Sequence, residues 1–434
     1  MSTLEPNASK GDTTWFSQNR FGMFIHWGIY AMGARHEWLK TREEMTTEQY
    51  SPYFDYFDPD LFDPDAWADA AAHAGMKYVV STTKHHDGFC LWDSSLTAYK
   101  STNTPAKRDL IRPMVDAFRA RGLRTGLYHS LIDWHHPDFT IDRHHPQRNH
   151  PARESLDASK NMERYRAYLH GQVQELLTGY GDIDILWCDF SYPPEKGCDA
   201  WGSHDLYRLI RKLQPHIILN DRMDLPLGWD VKTPEQFQPR HAVEVDGSPV
   251  VWEACQTFSG SWGYHRDEAS WKSTPMLIQM LIDTVSMGGN LLLNVGPTGR
   301  GEFDTRTLDR LRGIGDWMRY HSRSIYGCRD APPYFGQPPK DCRYTWNPVT
   351  KRLYVHVFAW PFGQLYLDGI APERVRYAQL LNDASEVLRQ DIEPWQHDFS
   401  GEKHGVVGTA LRLPILRPDV TVPVIEVMFH GEST

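Results

Sequence analysis

Carboxylate, imidazole, guanidinium and aromatic side chains lie at the ends of apolar segments, or in the loops after them, in the first 330 residues. Asp189 is the clearest case, because it ends the apolar run 185–188 and more apolar residues come after it. A carboxylate there is costly to desolvate unless it is paired or used. The other side chains of this kind are His26, Glu37, Trp38, His85, His86, His129, Trp187, Arg222 and Glu253.

Three chemistries could use such a set. A metal hydrolase of the barrel type favours histidines at alternate strand positions, whereas His85 and His86 are adjacent and are predicted to face opposite ways in extended backbone. HExxH and EF-hand patterns are absent, and so is the GxSxG of a serine hydrolase. The third chemistry is glycoside hydrolysis, in which an aspartate nucleophile and a glutamate acid/base act while His, Arg and Trp hold the sugar.

Each residue also has a structural interpretation when taken alone. Asp189 could cap a helix or pair with a base, and Glu253 could pair with Arg266. His26 could be a core histidine, and Arg222 could pair with the adjacent Asp221. A single barrel rim that collects all of these residues would favour the functional interpretation.

Near-continuous apolar runs alternate with amphipathic segments over this part of the chain. The runs are 22–28, 77–83, 124–130, 183–189, 216–220, 249–254 and 290–295. Such runs are typical of strands buried on both faces of a parallel sheet, and residues 159–178 between them have helical spacing. They predict an α/β fold with a (β/α)8-like catalytic barrel that is irregular, because no clean eighth unit is present. The rim with the candidate residues is the C-terminal one.

The pattern changes after residue 331. In residues 345–360 the apolar Leu353, Val355 and Val357 alternate with Tyr354, His356 and Phe358. Alternation with period two predicts strands that bury one face. We therefore predict two domains, a catalytic barrel over residues 1–331 and a C-terminal β-sandwich over residues 332–434.

Composition limits the classes of partner. The net charge is −10, with 40% hydrophobic residues, 12% aromatic residues and 16 Trp, which does not indicate nucleic-acid binding and suits a neutral ligand such as a sugar. No run is apolar enough to span a membrane, and the N-terminal segment 1–15 lacks a signal-peptide pattern, so a cytoplasmic location is expected. The six cysteines have no metal-like spacing and are expected to be free.

Eight ordered motifs resemble the α-L-fucosidase family of retaining glycoside hydrolases, family 29. They are RFGMFIHWGIY, KYVVSTTKHHDGFCLWDS, KRDLI, GLYHSLIDWHHPDF, LWCDF, NDR, VWEACQTFSGSWGYH and GGNLLLNVGPTGRGEF, in order from about Trp15 to Tyr326. The resemblance implies that Asp189 is the nucleophile that forms a covalent glycosyl-enzyme. It implies Glu253 as the acid/base, with Glu37 as the alternative and Glu244 third.

The resemblance also implies that His26, Glu37, Trp38, His85, His86, His129, Trp187 and Arg222 hold the fucose ring. It implies no metal and no organic cofactor, and a glycan or other α-L-fucoside as substrate. A homo-oligomer is also expected. A barrel glycosidase for α-L-galactosides and a sugar-binding protein without turnover are the rival interpretations. The insertion 134–157 is expected to wall the leaving-group side of the pocket, and Trp395 could cap it.

Overall fold

The computed structural model describes residues 10–390 and 408–431. Helices in this part are α1 (Thr14–Asn19), α2 (Tyr30–Gly33), α3 (Leu39–Arg42), α4 (Thr47–Asp55), α5 (Pro64–His73), α6 (Ile111–Ala120), α7 (Arg153–Asp157), α8 (Met162–Gly179), α9 (Cys198–Trp201), α10 (Ser203–Leu213), α11 (Thr274–Ser286) and α12 (Thr305–His321). Trp395 and residues 1–9 lie outside the described ranges. None of the helices within those ranges is long and apolar enough to cross a membrane.

The strands of the first domain form a parallel sheet that curls into a barrel. They are β1 (Phe21–Ile25), β2 (Tyr78–Lys84), β3 (Arg124–Ser130), β4 (Ile185–Asp189), β5 (Ile218–Leu219), the small hairpin β6 (Glu244–Val245) and β7 (Ser248–Pro249), then β8 (Glu253–Thr257) and β9 (Asn290–Val295). The sheet order is β5-β4-β3-β2-β1-β9-β8, and the hairpin stands apart from it. The predicted (β/α)8-like class is therefore confirmed.

An irregular segment occupies the eighth position of the barrel. Parallel bridges join Asn220 to Val231 on one side, and Lys232 to Trp252 and Glu235 to Cys255 on the other. Segment 231–235 thus links β5 to β8 and closes the ring. It has no apolar run, which explains why the sequence pattern did not reveal an eighth unit.

One predicted strand was misplaced. The apolar run 249–254 was expected to end in Trp252 and Glu253, but β8 begins at Glu253. The apolar residues before it precede the strand, and the less apolar Glu253–Thr257 is completely buried in the barrel. Burial on both faces does not require apolar residues where the barrel interior is itself polar, so the hydrophobic pattern gave the wrong boundary.

Local sequence signals explain the helices that surround the barrel. Asp63 accepts a hydrogen bond from the backbone N–H of Ala66 and caps α5, with Pro64 at the first helical position. Asn161 caps α8, which covers most of the helix expected over residues 159–178. These helices pack their apolar faces on the outside of the barrel.

The C-terminal domain is the expected β-sandwich. One sheet has the order β10 (Cys342–Asn347), β11 (Arg352–Val357), β16 (Val424–Phe429), β13 (Val375–Leu380), and the other has the order β12 (Gln364–Asp368), β15 (Gly408–Arg412), β14 (Leu388–Gln390). Tyr354 and His356 on β11 are buried like their apolar neighbours, because this face packs on the barrel domain, where the ring of His356 lies 6.4 Å from that of Trp317. The boundary at residues 331/332 stays a prediction.

Gly22 on β1 gives the ring of Tyr78 its place inside the barrel. A Cβ at Gly22 would lie 2.3 Å from a ring carbon of Tyr78. We expect Gly22→Ala to lower the free energy of unfolding by about 1–3 kcal/mol through overpacking. Denaturant unfolding followed by circular dichroism measures this change.

The matched control is Gly179→Ala. At Gly179 an added Cβ meets no heavy atom within 4 Å, so we expect no destabilisation. Equal stability of the two variants would contradict the close approach at Gly22.

Candidate active site

A small cavity opens at the C-terminal ends of the barrel strands. It is lined by Phe24, His26, Trp38, His85, His86, Tyr128, Trp187, Asp189, Phe190, Arg222, Glu235 and Trp262. Side chains alternate along a strand, so every second residue of a barrel strand faces the interior. On β4 this parity sends Ile185, Trp187 and Asp189 inward, and Asp189, as the last residue, stands at the mouth.

Two hydrogen-bond donors hold the carboxylate of Asp189. The Tyr128 hydroxyl donates to Oδ2 at 2.7 Å, and Arg222 Nη1 donates to Oδ1 at 3.0 Å. His86 Nε2 lies 3.7 Å from Oδ2. Burial raises the pKa of Asp189 above its ordinary value, and the nearby charge of Arg222 works against that rise.

Arg222 joins Asp189 to a second carboxylate, that of Glu235. Its Nη1 also lies 2.7 Å from Glu235 Oε2. The bound oxygens of Asp189 and Glu235 are therefore no farther apart than the 3.0 Å and 2.7 Å distances added together, about 5.7 Å. The guanidinium carbon of Arg222 also lies 4.5 Å from the centre of the Trp187 ring, a cation–π contact.

Hydrogen bonds fix the tautomers of two histidines. Asn294 Nδ2 donates to the carbonyl of Trp262, so its Oδ1 accepts the Nδ1–H of His26 at 2.6 Å. Ser130 donates to the carbonyl of Ile132, so its hydroxyl accepts the Nδ1–H of His86 at 2.7 Å.

Both rings therefore keep Nε2 as an acceptor. Burial also lowers the pKa of both histidines, that of His26 to about 3, which keeps the rings neutral. Two neutral acceptors in a cavity with aromatic walls suit a ligand with hydroxyl donors.

His85 and His86 do not point in opposite directions as extended backbone predicts. Strand β2 ends at Lys84, and a turn closed by the hydrogen bond from Gly88 N–H to the His85 carbonyl follows. The two ring centres lie only 4.0 Å apart, and both rings line the cavity.

Phe190 turns the chain away from the strand immediately after Asp189. Its φ of 79° is in the left-handed region, which non-glycine residues rarely adopt. Its ring packs 5.1 Å from Trp38 and 4.9 Å from His86. The strained backbone at Phe190 therefore places its ring in the wall of the cavity.

The structure brings six of the sequence-predicted site residues to this cavity besides Asp189. They are His26, Trp38, His85, His86, Trp187 and Arg222. His129, Glu37 and Glu253 do not line it. The lining residues that sequence reasoning missed are Phe24, Tyr128, Phe190, Glu235 and Trp262.

His129 has the wrong parity on β3 for the cavity. Tyr128, one residue before it, faces inward, and strand register places Tyr128 opposite Trp187. His129 faces outward, where its Nδ1 lies 3.0 Å from the hydroxyl of Thr83. Counting parity from Asp189 through this register would have selected Tyr128.

Glu253 lies at the opposite end of the barrel from Asp189. It is the first residue of β8 and Asp189 is the last residue of β4. Its carboxylate accepts a hydrogen bond of 2.5 Å from Tyr78, which is itself the first residue of β2. Burial raises the pKa of Glu253 to about 7.

Glu37 is buried behind the cavity wall. Its Oε2 accepts a hydrogen bond of 2.8 Å from the backbone N–H of Gly263, next to the lining residue Trp262. His36 Nδ1 lies 3.1 Å from Oε1. Burial raises the pKa of Glu37 to about 7.

Glu235, which the sequence did not single out, and Glu244, the third acid/base candidate, differ in position. Glu235 ends the irregular segment 231–235, and 38% of its side chain is exposed at the cavity rim. Glu244 is exposed on the β6–β7 hairpin. No strand pattern surrounds Glu235, so only the closing of the barrel reveals where it stands. No group of three or more His, Cys, Asp or Glu within residues 10–390 and 408–431 is arranged to hold a metal ion.

A family profile, a curated relative and solved structures that are similar to this chain all carry the same family description. The sequence profile described as Alpha-L-fucosidase matches residues 2–323. The tissue alpha-L-fucosidase of Bos taurus is 32% identical over 93% of this chain and 85% of its own. The structure of alpha-L-fucosidase isoenzyme 1 from Paenibacillus thiaminolyticus is 44% identical, with a TM-score of 0.89 over 96% of this chain and 99% of that one.

A second similar structure contains a trapped reaction state. It is an alpha-L-fucosidase from Bacteroides thetaiotaomicron, described as a trapped covalent intermediate with 2-fluoro-fucosyl fluoride in a Glu-to-Gln variant. It is 26% identical, with a TM-score of 0.81 over 99% of each chain.

The elevated pKa of Glu253 predicts a pH-dependent stability. The folded-state pKa of about 7 lies above the ordinary 4.5, so this group's contribution to stability is fully present below 4.5 and is lost as pH rises through about 7. Glu253→Gln keeps an acceptor for Tyr78 and does not titrate. From about pH 5 to pH 8 we expect the free energy of unfolding of Glu253→Gln to rise by about 2–3 kcal/mol relative to that of the parent protein, measured by denaturant unfolding.

The control for this comparison is Glu244→Gln, at an exposed position. We expect Glu244→Gln to follow the parent protein at both pH values. An unchanged pH dependence in Glu253→Gln would show that the Glu253 carboxyl does not titrate in this range.

Proposed function

The chain belongs to the α-L-fucosidase family of glycoside hydrolases, and from this we propose that it is an exo-acting retaining α-L-fucosidase. It removes terminal α-L-fucosyl residues by double displacement through a covalent glycosyl-enzyme on Asp189. The observation that carries the proposal is the pair of carboxylates held by one guanidinium, Asp189 and Glu235 on Arg222.

Carboxylate spacing supports the retaining outcome. Retaining glycosidases hold their two carboxyl groups about 5–5.5 Å apart, whereas inverting ones leave a wider gap for water. The bound oxygens of Asp189 and Glu235 lie within about 5.7 Å of each other, as Arg222 requires. The covalent intermediate of the Bacteroides relative is in accord with the same outcome.

Asp189 is suited to attack the anomeric carbon. It must be ionised, and the Tyr128 hydroxyl and the Arg222 guanidinium stabilise its charge. Burial raises the pKa of Asp189. Burial also leaves the ionised carboxylate poorly solvated, which makes it a better nucleophile. These donors also hold the attacking oxygen in place, so the carboxylate loses little orientational freedom when it attacks.

Glu235 is the acid/base that the geometry favours. It stands at the rim, where the leaving group departs and water enters, and it lies beside the nucleophile. In the first step it protonates the glycosidic oxygen, and in the second it takes a proton from the water that cleaves the glycosyl-enzyme. The resemblance favours Glu253 and then Glu37 for this role. We instead propose that Glu253 holds the side chain of Tyr78 inside the barrel and that Glu37 holds the backbone at Gly263.

The cavity walls suit a single deoxy sugar. His26 and His86 present acceptors for sugar hydroxyls. The rings of Trp38, Phe190 and Trp262 offer apolar surface for the C–H face and the methyl group of fucose. The cavity is small, so one terminal residue fills it, which is the basis of the exo assignment.

The insertion 134–157 packs against this wall. Trp134 lies 5.3 Å from Trp38, and His144 lies 5.0 Å from Phe190. We therefore propose that the insertion borders the leaving-group side and limits which aglycones fit. A homo-oligomeric state and a cytoplasmic location stay predictions.

The nucleophile is tested with Asp189→Gly and an aryl α-L-fucoside. We expect turnover to fall by roughly 10³-fold or more, because the covalent route is lost. Added azide fits the space left by the carboxylate and should partly restore turnover, giving the β-L-fucosyl azide. Product stereochemistry is read by NMR.

The parent protein assayed with the matching aryl α-L-galactoside serves as the substrate control. A higher kcat/KM for the galactoside would replace the proposed sugar. Full activity of Asp189→Gly would exclude Asp189 as the nucleophile, and failure of the parent protein to turn over either glycoside would favour a binding protein.

The acid/base is tested by leaving-group dependence in Glu235→Ala. An unactivated fucosyl disaccharide needs the proton, so its turnover should fall by about 10²–10⁴-fold, whereas a fucoside of an acidic phenol should lose far less in the first step. Steady-state and burst kinetics separate the two steps.

Glu253→Gln, Glu37→Gln and Glu244→Ala are the comparison variants. We expect similar relative losses on both substrates in each of them. The leaving-group pattern appearing in one of these variants, and not in Glu235→Ala, would transfer the role to that residue.

A further inference from the structure

A second cavity lies beside the catalytic one and shares no lining residue with it. It has a volume of about 270 Å³ and is bounded by α3, α4 and the segments after β2 and β3. Its main walls are Lys40, Tyr50, Phe54, Ala98, Tyr99 and His135. We call it the Lys40 cavity.

Lys40 carries a buried amine without a hydrogen-bond partner. The residue is 2% exposed, and Nζ contacts no acceptor within the described parts of the chain. Nζ lies 4.9 Å from the centre of the Tyr50 ring, a favourable cation–π distance. Burial lowers the pKa of Lys40, in line with a cation that lacks a close counter-charge.

The nearby carboxylate Asp87 is committed elsewhere. Its Oδ2 accepts the Tyr50 hydroxyl at 2.8 Å, and its Oδ1 accepts the backbone N–H of Phe89 at 3.2 Å. The other carboxylate near Lys40, that of Asp133, pairs with Lys84 at 3.3 Å. Within residues 10–390 and 408–431 no carboxylate accepts a hydrogen bond from Lys40 Nζ. The amine therefore lacks a close counter-charge. It lies behind the cavity wall, so an anion in the cavity reaches Nζ after a shift of the Lys40 side chain.

The walls fix the shape of that anion. Tyr99 is stacked between Phe54, at 5.1 Å, and His135, at 3.7 Å. Both faces of the Tyr99 ring are thus covered, and mainly apolar ring edges border the Lys40 cavity. Such edges suit a flat or short apolar body and offer few partners to the hydroxyls of a sugar.

We propose that the Lys40 cavity binds a small monocarboxylate with an apolar body, the carboxylate hydrogen-bonded to Lys40 Nζ. The gain comes from pairing a buried unpaired amine and from covering apolar edges. The site stands apart from the fucoside pocket, although neighbouring residues in the chain, Trp38 and Lys40, line the two cavities.

Benzoate is the probe, and binding is measured by isothermal titration calorimetry on the full chain. We expect saturable 1:1 binding that excess L-fucose does not displace. Lys40→Met, which keeps the length of the side chain, should weaken binding at least about tenfold. Benzamide, the uncharged analogue, should bind the parent protein at least about tenfold more weakly.

Ala98→Trp is a second variant, at an exposed wall position that leaves Lys40 intact. It should block the cavity and abolish benzoate binding, and circular dichroism verifies its folding. Absence of saturable binding to the parent protein, displacement by L-fucose, or unchanged parental affinity in Lys40→Met or in Ala98→Trp would each overturn the proposal. None of these outcomes depends on catalytic activity.

Discussion

Burial of the Asp189 carboxylate is the constraint that organises the catalytic end of the barrel. A buried carboxylate without donors would be destabilising by several kcal/mol, so its surroundings must supply them. Tyr128 supplies one donor from the adjacent strand, and Arg222 supplies the other from the end of β5. Arg222 then needs further acceptors, and it finds them in Glu235 and in Thr233 on the segment that closes the barrel. One buried charge thus fixes three elements relative to one another.

The two-residue period of a strand divides the barrel interior into levels with different roles. On β8 and β9 the first inward residues, Glu253 and Asn290, form a closed polar cluster with Tyr78. On β4 the last inward residue, Asp189, opens to the cavity. Trp187, two residues earlier on β4, lies between these levels. A glutamate can therefore be buried in the same barrel without being near the reacting sugar.

Much of the fold was predictable because hydrophobic periodicity and turn residues act locally. The parallel strands, the cap at Asp63 and the C-terminal sandwich all follow from such local rules. Two local rules failed at specific positions. A turn after Lys84 brings His85 and His86 to one side, and the polar interior places the start of β8 at Glu253, beyond the apolar run that suggested it.

The sequence by itself determined the family through its eight ordered motifs. Its apolar runs located the strand that carries Asp189 and placed most of the surrounding residues at or beyond strand ends, because strand periodicity is a local property of the chain. Only the tertiary structure decided which glutamate stands beside Asp189. Glu235 belongs to an irregular segment with no periodic pattern, and its position depends on bridges to β5 and β8 and on the shared guanidinium of Arg222. Contacts between residues far apart in the chain leave no local signal, which is why pattern and spacing could not supply that partner.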